Sequence, residues 1–456
     1  MASLKVRSKF WDGPDPLSGN NPRRFHTPTL FCVPSSPEEP MIAEVFQERG
    51  ALPAMAGPAE GPGGRRVARL VQQLLSPEGA AADPAIHFPA SGDGPWEAVD
   101  SAAEGWAADG LERLCQLAEE AGTAGLMVTH RGRIVLERYW GGVGRTDTFD
   151  VASIQKSVIA LLLGVAWDRR MFSLSDPVSK YVPAWTRGPP SGAAAGDKVE
   201  EEGITVEHLL TMTTGLDTGS GEAPGPGGGV TRSRRAGERW LYNTVAYLTG
   251  THCLLSALAG TTLQRLTHDW LLGPLGCSSS RWRVRTGRRG GLLRNGDSRL
   301  LPHTSGLFSC PCDLSRIGIL LLSGGLWRGR RVISGAWLDA LARPCGPNPA
   351  YGYLWWLNGQ RSAVRLGDAS PEPLPTPRGL LPHAPQDTLM AHGQGGQKLY
   401  VSRRTGLVVV RLAGAAAPAA SGAEDAPLDD LLWEHLMAAC PDTLRRAAGL
   451  GGDGGP

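Results

Sequence analysis

The chain is 456 residues long and 41% apolar, enough for a substantial core in one large domain or in two to three ordinary ones. Its 46 basic and 44 acidic residues leave a formal net charge of +2, which offers no electrostatic footprint for nucleic acid or an anionic membrane. Eight cysteines, mostly single, make no small disulfide framework.

In chain order, residues 1–104 are rich in breakers (PSSPEEP, AGPAEGPGG, ASGDGP), with one helix-like patch over residues 65–75. They are expected to form a poorly ordered arm. The opening MASLKVRSKFWDGPDP has no apolar signal-peptide core, and with the sparse cysteines this predicts a reduced, cytoplasmic setting. Organised pattern begins near Trp106, where Leu111, Leu114, Cys115 and Ala118 recur at helical spacing. AGLMVTHRGRIVLERYWGG then reads as a hairpin turning at His130, Arg131 and Gly132.

Residues 149–168 follow, FDVASIQKSVIALLLGVAWD. The apolar run at 158–167 is shorter than the roughly 18–20 residues of a membrane span, so it predicts a buried helix. Breakers return at 187–197, 215–229, 361–387 and after 413, and the basic clusters at 232–235 and 281–289 read as solvated loop charges. The pair Cys310 and Cys312 lacks a second pair for zinc. Near the end, GQKLYVSRRTGLVVVRLAG predicts two strands around Arg404, Thr405 and Gly406. Residues 428–439 predict a helix with Leu431, Leu432, His435 and Leu436 inward, and 441–456 a flexible tail. Strands at both ends of a mainly helical middle predict an α+β fold. It is one antiparallel sheet flanked by helices, with an inserted helical domain, over residues 105–440.

Within the apolar segment, Ser153 and Lys156 are i and i+3 neighbours on one helix face, close enough for the amine to meet the hydroxyl. A serine hydroxyl is a weak nucleophile and needs a base. A lysine becomes one when burial or a nearby cation lowers its pKa from about 10.4. The apolar run supplies burial, and the helix N-terminus favours developing negative charge and offers a free N–H. S-x-x-K alone is equally an N-cap beside a snorkelling lysine, so more of the chain has to agree.

It does, as an ordered set: FDVASIQKSVIALLLGVAWDRRMFSLSDPVSKYVPAW, ITVEHLLTMTTGLD, GERWLYNTVAYLTG, LLGPLGC, SGLFSCPCDLSRIGILLLSGGLWRGRRVIS, YGYLWWLN and AHGQGGQKLYVS. Together these resemble the serine β-lactamase and penicillin-recognising superfamily, in its class C-like branch of esterases, peptidases and 6-aminohexanoate oligomer hydrolases. The resemblance implies a β-lactamase-like fold with no metal or organic cofactor. It assigns Tyr242 to the second catalytic element, Y-x-N, whose asparagine position is here Thr244, with Asn243 adjacent as a partial substitute. The third element, K-T-G or H-x-G, falls on Ala391, His392 and Gly393. Its cation position is thus alanine, and strand alternation points His392 away from it. Gly393 suits close approach of substrate to backbone, and the N–H of Gln394 joins that of Ser153 as an oxyanion donor.

The expected function is therefore a serine hydrolase of small esters or linear amides, forming an acyl-enzyme on Ser153 with Lys156 and Tyr242 moving the proton. Penicillin hydrolysis is disfavoured, because the cation that holds a substrate carboxylate is missing. The alternative is a catalytically inactive binding or scaffold protein of the same fold. A zinc hydrolase and a G-x-S-x-G hydrolase are set aside, since H-E-x-x-H and G-x-S-x-G are both absent. YGYLWW, residues 351–356, reads as a strand packed under the site, and 215–229 as a loop placed to cover it.

Overall fold

The computed structural model describes residues 85–92, 94–181, 203–217, 231–232, 235–285, 305–366, 372–414 and 426–450. The helix-like patch at 65–75, nearly all of the loop expected to cover the site and residues 286–289 of the basic cluster at 281–289 lie outside these residues.

The chain enters helix α1 (Ala108–Glu120), whose buried stripe of Leu111, Leu114, Cys115 and Ala118 follows the predicted helical period. Strands β1 (Thr123–His130) and β2 (Arg133–Tyr139) form the first hairpin, its turn at Arg131 and Gly132 in the left-handed region. A short strand β3 (Phe149–Asp150) leads to helix α2 (Ile154–Asp168), buried from Ile154 through Ala166. Helices α3 (Val206–Leu210) and α4 (Thr244–Ala259) continue the helical middle. Strands β4 (Arg281–Val284) and β5 (Ser305–Ser309) complete a small sheet with β3.

Helix α5 (Pro311–Leu322), with proline in its first turn, and helix α6 (Gly335–Leu341) come next. The short strand β6 (Trp356–Leu357) precedes β7 (Leu389–Gly393), β8 (Gln397–Ser402) and β9 (Leu407–Ala413), and α7 (Ala426–Ala439) and α8 (Asp442–Ala447) close the described chain.

The six-stranded main sheet is antiparallel throughout, in the order β6-β7-β8-β9-β1-β2. Its central strands β8 and β9 are buried along their whole length, as strands covered on both faces must be. On one face Val408 meets α5 where Gly318 carries no side chain: a Cβ there would stand 2.4 Å from Val408 Cγ1. On the opposite face Tyr400 packs edge-on against Trp433 of α7, and Gly110 of α1 lets Ala439 of α7 approach, since a Cβ there would stand 2.8 Å from the Ala439 Cβ. The α+β fold expected from the sequence is thus the one observed. Among the described residues no helix is long and apolar enough to cross a membrane.

Three expectations need correction. Residues 85–104 were expected to belong to a poorly ordered arm, yet they are tied to the sheet. Val99 N–H donates to Ile134 at 2.8 Å, Trp96 Nε1 to Gly132 at 2.7 Å, and Arg316 holds the Ala90 and Gly92 carbonyls. The expected flexible tail begins with helix α8, which buries Leu444. The inward face of α7 is Asp429, Trp433, Leu436 and Met437, while Leu431 is exposed. The physical reason is Lys398 on β8, whose ammonium lies 2.7 Å from Asp429 with both side chains 1% exposed. Partnering that buried charge sets the rotation of the helix.

Candidate active site

The site is built on a strained turn. β3 pairs with β5, and the Val151 N–H donates to the Leu307 carbonyl at 3.0 Å, which fixes the chain entering the turn. Asp150 accepts the Ala152 N–H at 2.9 Å, and Ala152 adopts φ 48°, a conformation uncommon for a residue with a Cβ. Ser153 follows as the N-cap of α2, but its side chain makes no capping bond. Its Oγ instead receives the Lys156 Nζ at 2.7 Å.

Lys156 is 2% exposed, and burial pushes its pKa down to about 7, with the Arg285 cation adding to the effect. Thr244, the first residue of α4, places its Oγ1 3.3 Å from the same amine. The hydroxyl at the expected asparagine position therefore supplies an acceptor for the amine, and the adjacent Asn243 is buried. The Tyr242 ring centroid lies 4.7 Å from Nζ. Burial pushes the Tyr242 phenol up to about 12, while its interaction with Ser153 pulls the other way.

Around Tyr242 stands an aromatic wall. Trp356 stacks on it at 6.3 Å, and Trp240 and Tyr351 lie at 6.1 and 6.5 Å. Residues 351–356 are buried beside Tyr242, but the strand expected over YGYLWW is confined to Trp356 and Leu357: the chain bends at 353–355, with Leu354 left-handed, so that Tyr351 pairs back on Trp356. The Leu241 N–H donates to Met212 at 3.0 Å, and the Leu354 N–H to Leu210 at 2.9 Å. Met212 and Leu354 are both left-handed non-glycine residues, at φ 57° and 56°. Backbone of this kind persists where packing over-determines it, and here it braces the segment that carries Tyr242.

Strand β7 closes the site. A Cβ on Gly393 would stand 2.3 Å from the Val151 carbonyl and 3.3 Å from the Ala152 Cβ, so only glycine allows this strand to lie against the Ser153 turn. Gln394 follows, exposed, ahead of Gly395 and Gly396 at φ 76° and 82°. Among the described residues no acceptor takes the backbone N–H of Ser153 or of Gln394.

His392 is not part of the Ser153, Lys156, Thr244 and Tyr242 group. Its ring stacks on Trp356 at 6.3 Å and meets Tyr400 edge-on, one aromatic layer behind Tyr242. Burial holds it neutral, well below the usual histidine range, and Lys398 adds to this. Ala391, expected at the third element's cation position, is buried.

Sequence reasoning missed the ion pair between Arg285 and Asp150, at 2.6 and 3.0 Å. Arg285 sat in a cluster read as solvated loop charges, and 135 residues separate it from its partner. No local pattern signals such a contact. Among the described residues no group of three or more His, Cys, Asp or Glu side chains is arranged to hold a metal, and Cys310 and Cys312 are free thiols.

Comparison with known proteins shows the family and the fold. The family model Beta-lactamase matches residues 111–432. An uncharacterized protein of Alkalihalophilus pseudofirmus is 22% identical over 327 residues, 66% of this chain and 86% of that one. Solved structures share the fold at low identity. A provisionally assigned 6-aminohexanoate-dimer hydrolase from Bacillus anthracis aligns with TM-score 0.51 and 15% identity, over 82% of this chain and 91% of its own. EstCE1, a hydrolase with promiscuous acyltransferase activity, aligns with TM-score 0.52 and 18% identity, over 72% and 98%. A provisionally assigned beta-lactamase from Bacteroides dorei gives 0.52 and 16%, over 72% and 98%.

Proposed function

Because the chain belongs to the beta-lactamase family, we propose that it is a serine hydrolase that cleaves small carboxylic esters or linear amides through an acyl-enzyme on Ser153. The observation that carries this reading is the 2.7 Å contact between Ser153 Oγ and a buried Lys156 amine whose pKa falls to about 7. Such an amine is partly neutral at physiological pH and accepts the hydroxyl proton as the oxygen attacks the substrate carbonyl. The Ser153 and Gln394 N–H groups then receive the negative charge on the carbonyl oxygen.

Tyr242, held as a phenol near 12, is a proton relay and not a resting phenolate. It passes the proton from the Lys156 ammonium towards the leaving group, the C–O or C–N bond breaks, and the acyl group stays on Ser153. Water then attacks the acyl-enzyme, giving its proton to the Lys156 amine, and that proton returns to Ser153 Oγ as the Oγ–acyl bond breaks and the acid is released. Ala391 offers no cation for a substrate carboxylate, which favours esters and linear amides over penicillins. The structural neighbour provisionally assigned as a 6-aminohexanoate-dimer hydrolase is in keeping with a linear amide, and EstCE1 with a hydrolase that transfers acyl groups.

The test is fluorophosphonate labelling together with turnover of p-nitrophenyl acetate and butyrate. Wild type is expected to label and turn over, Ser153→Ala to do neither, and Tyr242→Phe to lose about 10²–10⁴-fold in kcat, the usual worth of a proton-transfer group. A wild type that neither labels nor turns over would leave the inactive scaffold as the leading reading.

A further inference from the structure

A cation stands beside the site, held by side chains that the hydrolysis steps leave unused. Arg285 follows directly on β4 and lays its guanidinium edge on Asp150, with Nε donating at 2.6 Å and Nη2 at 3.0 Å to the two carboxylate oxygens. Asp150 is also the residue that accepts the Ala152 N–H and so shapes the turn before Ser153. Nη2 lies 3.5 Å from Oε1 of Gln155, a buried neighbour of Lys156 that in turn accepts the Leu307 N–H at 3.1 Å. The seat exists because β5 carries glycine at 306, where a Cβ would stand 2.7 Å from both Nε and Nη2.

We propose that Arg285 is a positioning residue for the Ser153 and Lys156 pair: its fork on Asp150 fixes the turn that presents Ser153, and its reach to Gln155, the neighbour of Lys156, seats its positive charge on the amine's side of the site. The inference rests on the hydrolase reading above and deepens it. A planar guanidinium does both jobs, since it binds a carboxylate through two parallel bonds and never loses its charge. The ionisable groups that face Lys156 come from three directions. Tyr242 lies over it from the segment before α4, Arg285 and Asp150 stand on the small-sheet side, and from the main sheet His392 is neutral behind Trp356 while Lys398 is paired with Asp429. Of these, only Arg285 adds to burial in disfavouring the ammonium.

The experiment follows the pH profile of kcat/KM and, independently of turnover, the NMR titration of ¹³C-labelled lysine. The chain has six lysines, Lys5, Lys9, Lys156, Lys180, Lys198 and Lys398, so the Lys156 signal is assigned by its loss in Lys156→Met. In Arg285→Gln both midpoints are expected to rise by about half a unit to one unit, with kcat reduced and KM nearly unchanged. Arg285→Lys, which keeps the charge and loses the fork, is expected to hold the midpoints near wild type while kcat still falls. It decides the matter if the glutamine variant does not fold. Unmoved midpoints in Arg285→Gln, or an unchanged kcat in Arg285→Lys, would overturn the proposal. A wild type without turnover whose Lys156 midpoint still rises in Arg285→Gln would sink the hydrolase reading and leave the effect of Arg285 on the amine standing. Turnover lost in Ser153→Ala with midpoints indifferent to Arg285 would do the reverse.

Discussion

Lys156 carries two opposed demands at a single residue. To accept a proton the amine must be neutral, and its neutral fraction grows as pH rises through about 7. The expected profile of kcat/KM therefore climbs below that midpoint, tenfold per unit at its steepest, and levels off above it. Stability runs the same way for a different reason. The unfolded lysine binds its proton up to about 10.5, the folded one only up to about 7, so the unfolded state holds more protons between those values. Burying this group therefore costs stability most fully at and below neutral pH, and the cost fades as pH rises towards 10.5. Lys156→Met keeps the volume and removes the charge. It is expected to abolish turnover while raising stability by roughly 1–2 kcal/mol at pH 7, read from urea unfolding beside the esterase assay. Unchanged or lower stability would mean that the bonds to Ser153 and Thr244 outweigh desolvation.

At the scale of elements, the site is a meeting of one helix start and one strand end. The helix start was legible, because Ser153 and Lys156 are local neighbours and the apolar run marks a helix buried on all sides. Strand β7 was legible only in part. Its glycine at 393 was singled out for the approach of substrate, whereas the structure shows that the Val151 carbonyl already occupies the space a side chain would take. Thr244 was reached only through the family pattern and the Arg285 seat was hidden, for one physical reason: each depends on a partner 88 or 135 residues away. Spacing along the chain carries no information about such partners. Gly393→Ala tests the strand end. Its methyl group would collide with backbone, which has no rotamer to escape into, so β7 must move off the Ser153 turn. A loss of at least about 10²-fold in kcat/KM is expected, with Lys156 still titrating near 7. Near-normal turnover would show that the two elements need not be this close.

Across the whole molecule, the main sheet and its inserted helices were readable from where apolar strands fall in the chain, because a sheet buried on both faces leaves little choice of residue. The rotation of α7 was not readable, since its leucines suggest one face and a single buried charge selects another. That charge now defines what holds the helix to the sheet. Lys398 and Asp429 are both 1% exposed at 2.7 Å, joining the same strand and helix as the Tyr400 and Trp433 contact. Desolvating two such charges costs about as much as their attraction returns, so the pair supplies orientation more than net stability. Removing one partner strands the other without water, and Asp429→Ala is expected to cost about 3–5 kcal/mol in urea unfolding. Replacing both, Lys398→Met with Asp429→Leu, removes the desolvation penalty and is expected to restore wild-type stability or exceed it by about 1–4 kcal/mol. If the double variant is as unstable as the single one, the pair is a net source of stability. If it is stable but α7 no longer protects its Trp433 from quenching, the charge was the element that fixed the helix in register.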